Sequence, residues 1–371
     1  MSTRTYPTLP DELSVAWLTD VLRASGDLGP DAAVASFTTE PVGEGVGMLG
    51  VLVRVNLTYH GDGDGPATDA PASLIAKFPT TVAGNRAVAM AFRLYEREIR
   101  FYLDIEPKVV VSAPRCYAGE IDPASGDAVL LLEDLGAYTM GDQVAGCTAA
   151  EAITILDAVV GLHAQFWGKT VGDPVLASVP AVDDTFQIDG IAGGTAAGWD
   201  PCMTMFGDVV AEEIKAVRDQ FIGNVGSLHR RMGQRQQTVI HGDVRLDNMM
   251  FGTPPGQRPV VLLDWSLITT CGLHDVAYLV TQNVTTDERR QHEARIIEHY
   301  HRRLVELGVR DYSLEQCWDD YKLSALQLYA YAIVIAGTLD PSNERGAKFM
   351  RELVSRASAA VMDHDLLSLL D

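Results

Sequence analysis

Residues 241–251 read HGDVRLDNMMF and, after the stretch GTPPGQRP (252–259), residues 260–265 read VVLLDW. Val239 and Ile240 close a short apolar strand, MMF and VVLL supply two more, and the Pro/Gly-rich stretch between them is a turn. The hairpin brings three oxygen-bearing side chains together. Asp243 starts a loop, Asn248 follows five residues on, and the returning strand delivers Asp264 beside both. Transfer of a phosphoryl group asks for little covalent chemistry from a protein. It needs charge neutralisation by metal and a group that orients the attacking hydroxyl, and magnesium takes oxygen ligands. On this reading Asp264 and Asn248 hold the metal and Asp243 accepts the proton of the substrate hydroxyl. Any one of the three alone would be an acid-capped turn before a hairpin; the joint pattern carries the assignment.

Upstream, Gly45, Gly47 and Gly50 in VGEGVGMLG spell G-x-G-x-x-G, which fits a dinucleotide fold, a phosphate-covering loop or a plain turn. A dinucleotide fingerprint must open a helix, whereas VLVRVNLTY (51–59) is β-branched and alternating, so a glycine loop between antiparallel strands is expected. The strand SLIAKF (73–78) then carries Lys77 among apolar neighbours. A helix is expected from about Asn85 to Leu103, with Arg93, Arg97, Arg100 and Asp104 on one solvent-facing side. Glu98 projects the other way, with Ala91, Tyr95 and Tyr102. A carboxylate so placed requires a cationic partner; Lys77 is the obvious one for Glu98, with Glu96 as the fallback. APRCYAGEI and AVLLLED flank the turn DPASGD and complete a five-stranded antiparallel sheet, which breaks off at Gly136.

HGDVRLDN followed by DW resembles the signature of the aminoglycoside phosphotransferase and choline kinase superfamily. YEREIRFY, LLLEDL and LHAQFW are similar to its ecdysteroid-kinase-like and acyl-CoA-dehydrogenase-associated phosphotransferase branch. The resemblance covers about residues 35–285 and implies an α+β, protein-kinase-like bilobal fold. Its N-lobe, residues 1–135, would hold the antiparallel sheet and the glycine loop, and its mainly helical C-lobe, residues 136–371, the catalytic loop. It implies that Gly43, Gly45 and Gly47 cover the phosphates and that Lys77 contacts the α and β phosphates. The backbone of residues 133–137, including Glu133 and Leu135, would form the hinge that hydrogen-bonds adenine. ATP and Mg2+ are the implied cofactors, and a small hydroxylated molecule the acceptor. Compared with the H-R-D and D-F-G motifs of protein kinases, Gly242 replaces the arginine, and Trp265 and Ser266 follow the aspartate. No arginine is therefore available there to read activation-loop phosphorylation, which implies a constitutively assembled site and argues against a protein substrate. A catalytically silent nucleotide binder of the same fold is the alternative, although nothing essential is missing.

The 371 residues are 47% hydrophobic and 21% charged, with mean hydropathy +0.05, as expected of a globular chain of two domains or lobes. A net charge of −21 without a Lys/Arg block disfavours nucleic-acid partners. The cysteines at 116, 147, 202, 271 and 317 lack C-x-x-C spacing and no signal-peptide pattern opens the chain, so reduced thiols in the cytoplasm are expected, with no disulfide or zinc. Residues 323–339 are uncharged but short for a span and carry Ser, Gln and two Tyr, so a buried helix is expected in place of a membrane segment. Oligomeric state and the identity of the acceptor are not written in the sequence: aminoglycoside, choline-like, sugar, sterol and hydroxyacyl compounds all stay open.

The second half reads as mostly helical. Thr148 and Glu151 form a capping box, and Ile153, Leu156, Val160 and Phe166 give the following helix its buried face. His163 on that helix reads as a core histidine, not a catalyst. GKT at 168–170 follows a helix, whereas a phosphate-binding loop precedes one. Residues 171–206, rich in Gly, Ala, Pro and Asp, read as a substrate-side loop. Helices are expected at about 207–231, 273–282, 286–307, 313–337 and 342–368, the later ones walling the acceptor site. Asp275 in GLHDVAYLV is expected to brace the active-site loops through hydrogen bonds.

Overall fold

The computed structural model describes residues 5–42, 50–60, 70–253, 255–340 and 343–371; the Gly43, Gly45 and Gly47 loop lies outside them. The chain divides into two compact units. One comprises Met1–Lys108 with Ala113–Ala137, the other Val109–Ser112 with Tyr138–Asp371.

The first unit is built on an antiparallel sheet of β1 (Ala33–Val42), β2 (Gly50–His60), β3 (Ser73–Pro79), β4 (Cys116–Asp122) and β5 (Asp127–Glu133), in the order β1-β2-β3-β5-β4. Alternation along the strands sends Val53, Val55, Leu74, Ala76, Phe78, Val129 and Leu131 to one face, as the period of two demands. There they meet Leu18 and Leu22 of helix α1 (Val15–Ala24). This helix starts at Val15, because the Ser14 side chain accepts the Trp17 N–H and fixes the N-cap at that residue.

The helix expected over 85–103 is broken. α2 (Ala83–Ala91) stops, Arg93 takes a left-handed φ of 53°, and α3 (Leu94–Arg100) begins anew before a π-helical turn at Phe101–Ile105. The break rotates the second segment relative to the first, so a single helical wheel misplaces residues across it. Arg97, expected in solvent, is 4% exposed, and Ala91, expected inside, is exposed. Tyr95, Glu98 and Tyr102 are buried as expected.

In the second unit α4 (Ala149–Phe166) opens with the capping box: Thr148 Oγ1 accepts the Glu151 N–H and Glu151 accepts the Thr148 N–H. By length and composition α4 would pass as a membrane span, yet it packs on α9 (Thr286–Glu306) and on β7 (Gln237–Ile240), the place of a core helix. Short strands follow in pairs. β7 pairs with β10 (Ile268–Cys271), while β8 (Met249–Phe251) lies between β6 (Thr139–Met140) and β9 (Val260–Leu262).

Residues 171–206, expected as a loop, hold the helix α5 (Thr185–Phe206). Asp184 caps it by accepting the Phe186 N–H at 2.8 Å, and Trp199, Cys202 and Phe206 are buried. Its poor helix formers, including the internal Pro201, are outweighed by packing on α10 (Leu314–Thr338). Helix α6 (Glu212–Ala216) and α7 (Arg218–Gly233) replace the one helix expected over 207–231. α8 (Leu273–Gln282), α9, α10 and α11 (Glu344–Asp363) fall near their expected positions, and residues 323–333 of α10 are almost wholly buried.

The α5–α10 contact depends on absent side chains. A Cβ at Gly337 would overlap the Gly198 carbonyl, and one at Gly198 would come within 2.8 Å of the Ile333 carbonyl. Gly337→Ala must therefore push two backbones apart. It is expected to destabilise the protein by about 1–3 kcal/mol, read as a lowered urea midpoint; a midpoint equal to the parent's would show that the helices separate without cost.

Candidate active site

In the first unit Lys77 lies on β3 between Leu52 of β2 and Leu130 of β5. Its side chain is on the sheet face opposite Ala76 and Phe78, where α3 packs. Lys77 Nζ is 2.8 Å from Glu98 Oε1, and the two side chains are 16% and 10% exposed. Glu96 is engaged elsewhere, by both Nε and Nη2 of Arg93, at 2.9 and 2.8 Å. Glu98, not Glu96, is therefore the partner of Lys77. The left-handed Arg93 sets this choice by rotating α3 until Glu98 faces the sheet.

Glu133 ends β5, its N–H bonded to the Arg115 carbonyl at 2.9 Å and its carboxylate to the Arg115 N–H at 3.0 Å. Leu135 is 5% exposed. Between them Asp134 accepts from Arg54 Nε at 2.6 Å, Ser73 Oγ at 2.7 Å and the Gly136 N–H at 2.9 Å. Burial raises the Asp134 pKa, but these donors outweigh it and hold the carboxyl below its ordinary value. Residues 133–136 are thus fixed to the sheet through a side chain that sequence reading did not single out.

In the second unit the loop that begins at His241 is held from behind by Asp275, fully buried at the start of α8. Its Oδ2 accepts the His241 N–H at 2.7 Å and its Oδ1 the Gly242 N–H at 3.0 Å, while His163 Nε2 lies 3.2 Å from Oδ2. Burial raises the Asp275 pKa, and the hydrogen bond and charge of His163 pull it below the ordinary carboxylate value. His163 also meets Tyr300 Oη at 2.8 Å, which makes it a satisfied core residue.

Gly242 explains the missing H-R-D arginine. Its φ is +87°, and a Cβ there would stand 2.8 Å from the Ser266 carbonyl oxygen, so no side chain fits without strain. His241 Nε2 donates to the Leu263 carbonyl at 2.9 Å and Nδ1 accepts the Asp243 N–H at 3.2 Å. Burial keeps the ring neutral by lowering its pKa. One imidazole therefore ties the residue before Asp264 to Asp243.

Asn248 completes the arrangement. Its Nδ2 donates to Asp243 Oδ2 at 2.8 Å and to the Asp243 carbonyl at 3.1 Å, and its own carbonyl accepts the Leu263 N–H at 2.9 Å. With both amide hydrogens committed to Asp243, the Asn248 Oδ1 remains as an oxygen donor. Asp264 has a left-handed φ of 57°, a conformation Asp tolerates better than most residues. Oxygen donors from Asn248 and Asp264 fit a hard cation such as Mg2+.

The sequence profile of the ecdysteroid kinase-like family matches residues 44–166 and 197–310, more than half of the chain. The chain belongs to that family. No functionally curated protein matches it. Among solved structures it is similar to an ethanolamine kinase of Plasmodium vivax, with 14% identity and TM-score 0.53 over 91% of this chain and 85% of that one. A choline kinase of Cryptosporidium parvum gives 10% identity and TM-score 0.53 over 96% and 98%. The GDP complex of aminoglycoside 2′-phosphotransferase-IIIa gives 14% and 0.52 over 93% and 98%. At such identities the likeness establishes the fold: this ecdysteroid kinase-like chain has the α+β, protein-kinase-like bilobal fold.

Two further residues of this family member support the loop and were not foreseen. Asn283, fully buried, accepts the Leu246 N–H at 3.0 Å and donates to the Val244 carbonyl at 3.3 Å. Arg345, on the first turn of α11, reaches Asp247 Oδ1 at 2.9 Å and Asp142 Oδ1 at 3.2 Å. Both lie far along the chain, so no local spacing could have pointed to them.

Beside this loop α7, α8 and α10 enclose His229, His274 and Gln327. His229 Nδ1 bonds the Val225 carbonyl at 2.8 Å and Nε2 meets Gln327 Nε2 at 3.1 Å; His274 is 3% exposed. Burial lowers both histidine pKa values, that of His274 to about 4. A folded pKa below the unfolded value of about 6.5 means stability that is complete above that pH and lost as pH falls toward 4. Asp320, whose carboxyl is raised by burial, works in the opposite direction. Stability is expected to fall from pH 7 to pH 5 by up to about 1.4 kcal/mol per pH unit for each histidine, with the slope reduced in His274→Leu. Urea midpoints at the two pH values measure this, and identical slopes in both proteins would contradict it.

Proposed function

We propose that this chain is an ATP-dependent phosphotransferase that moves the γ-phosphoryl group to a hydroxyl of a small molecule, with Mg2+. The observation that carries the reading is the Asp243–Asn248 clasp, in which one amide both fixes the carboxylate and keeps an oxygen for a cation. The acceptor hydroxyl docks on Asp243. Its oxygen attacks the γ-phosphorus while the bond to the β–γ bridging oxygen breaks, the electron pair leaving with ADP and the hydroxyl proton passing to Asp243. In a loose transition state that proton moves late, so orientation of the hydroxyl is the larger part of the work of Asp243. Asn248 and Asp264 would hold the metal, which when bound neutralises triphosphate charge. Lys77, kept in place by Glu98, would meet the α and β phosphates. Gly242 supports a non-protein acceptor, because it stands where the H-R-D arginine that reads a phosphorylated activation segment would be.

A library of small alcohols, read as ADP release above an ATP-only blank, tests the activity and finds the acceptor. Asp243→Asn keeps the shape of the loop, so Mg·ATP affinity should survive within about tenfold, or about 1.4 kcal/mol, while transfer falls about a hundredfold or more. Equal transfer rates would make Asp243 a structural residue. Asp264→Asn is preferable to alanine because it tolerates the left-handed backbone; it should abolish transfer and weaken Mg·ATP binding. Glu98→Gln should lower turnover by releasing Lys77, whereas Glu96→Gln should leave it near the parent value, and the reverse order would reassign the pair.

A further inference from the structure

Arg245 stands two residues beyond Asp243, and no role has yet been given to it. Its Nε lies 3.3 Å from Asp243 Oδ2, with the two side chains 32% and 29% exposed. That Nε is buried and makes no properly directed hydrogen bond, and no acceptor among the described residues takes its remaining N–H groups. Asp243 Oδ2 already accepts the Asn248 amide at 2.8 Å, so the aspartate does not depend on Arg245 for its orientation. The guanidinium feels Asp243 most; burial opposes it, Tyr278, Asp264 and Asp247 add to it, and its pKa is raised, so it is a permanent cation that feels three carboxylates. Asp247 has its own counter-charge in Arg345 at 2.9 Å.

On the proposed function, a hydroxyl within hydrogen-bond reach of Asp243 is joined to the phosphorus in the transition state. The equatorial oxygens of the transferred group then lie within about 5 Å of that carboxylate, the same distance range that Arg245 spans. Those oxygens carry the negative charge of a loose transition state, and carboxylates on every side would repel them. We infer that Arg245 is a catalytic residue of this same site, turning unused guanidinium N–H groups onto the oxygens of the phosphoryl group in transit. Planar, forked donors suit such oxygens better than an ammonium does.

The test compares the parent with Arg245→Met and Arg245→Lys in Mg·ATP binding, in single-turnover transfer, and in Mg·ADP binding with and without aluminium fluoride, which mimics the planar transferred group. The parent should gain affinity for ADP when fluoride is present. Arg245→Met should lose most of that gain, about tenfold or more, and lose transfer by about a hundredfold, while Mg·ATP affinity stays within about tenfold; Arg245→Lys should recover part of both. The loss of fluoride-dependent affinity should persist in an Asp243→Asn background. Retention of the gain in both variants, or its loss only when Asp243 is intact, would overturn the assignment and leave Arg245 as a partner of the aspartate. Arg245→Lys keeps the charge, so it remains informative if the methionine variant folds poorly. Failure of the underlying reading appears in the parent itself, as absent Mg·ATP binding, whereas failure of the Arg245 role appears only in the variants.

Discussion

The Asp275 carboxylate is the constraint from which the loop carrying Asp243 and Asn248 takes its shape. A fully buried carboxylate is costly unless its oxygens are occupied by donors, and here they accept two successive backbone N–H groups and face a histidine. Two adjacent amides can turn to one carboxylate only if the chain bends sharply between them. That bend is the left-handed Gly242, and it sends residue 243 outward while His241 turns inward. The position of Asp243 is therefore a consequence of satisfying Asp275.

His241 carries the constraint further. Because its two ring nitrogens serve opposite purposes, one as donor to Leu263 and one as acceptor from Asp243, a single neutral tautomer satisfies both. Trp265 closes over the ring at 4.5 Å and donates its indole N–H to the Leu262 carbonyl. The left-handed Asp264 is thus held between two residues that are themselves fixed. Strain of about 1–3 kcal/mol in such a backbone persists only where neighbours over-determine it, and the neighbours here do so.

Local sequence carried the parts of this arrangement that are local in structure. Asp243, Asn248 and Asp264 lie on a loop and a hairpin, so their spacing was enough to bring them together, and the alternating strands of the first sheet were legible from their period of two. Glu98 was placed correctly although the helix containing it was not, because Tyr95 and Tyr102, which mark its inward face, lie after the break with it; Arg97 beside it was misplaced. The break itself rests on one left-handed arginine, which no periodicity reveals. α5 was unreadable for a different reason: its glycines, alanines and proline have little helix preference, and the helix exists because a glycine face lets α10 approach. Asn283, Arg345 and Asp134 support the candidate site through tertiary contacts, which spacing along the chain does not encode.

A chain of net charge −21 is an unpromising host for a polyphosphate if charge is averaged over the surface. The structure shows why the average misleads. Asp127, Asp134, Asp142, Asp208, Asp247 and Asp363 are each paired with an arginine at 3.2 Å or closer, and such pairs contribute little field beyond the Debye length of about 8 Å. Two cations stand apart in what they are paired with. Lys77 is held by a helix carboxylate on the sheet, and Arg245 by the aspartate read as the catalytic one. Each cation and its carboxylate lie within one unit. On the proposed function these two cations would act together with the metal, and the buried groups behind them, Tyr95 and Ile99 around the first and Asp275 through the loop for the second, are what position them.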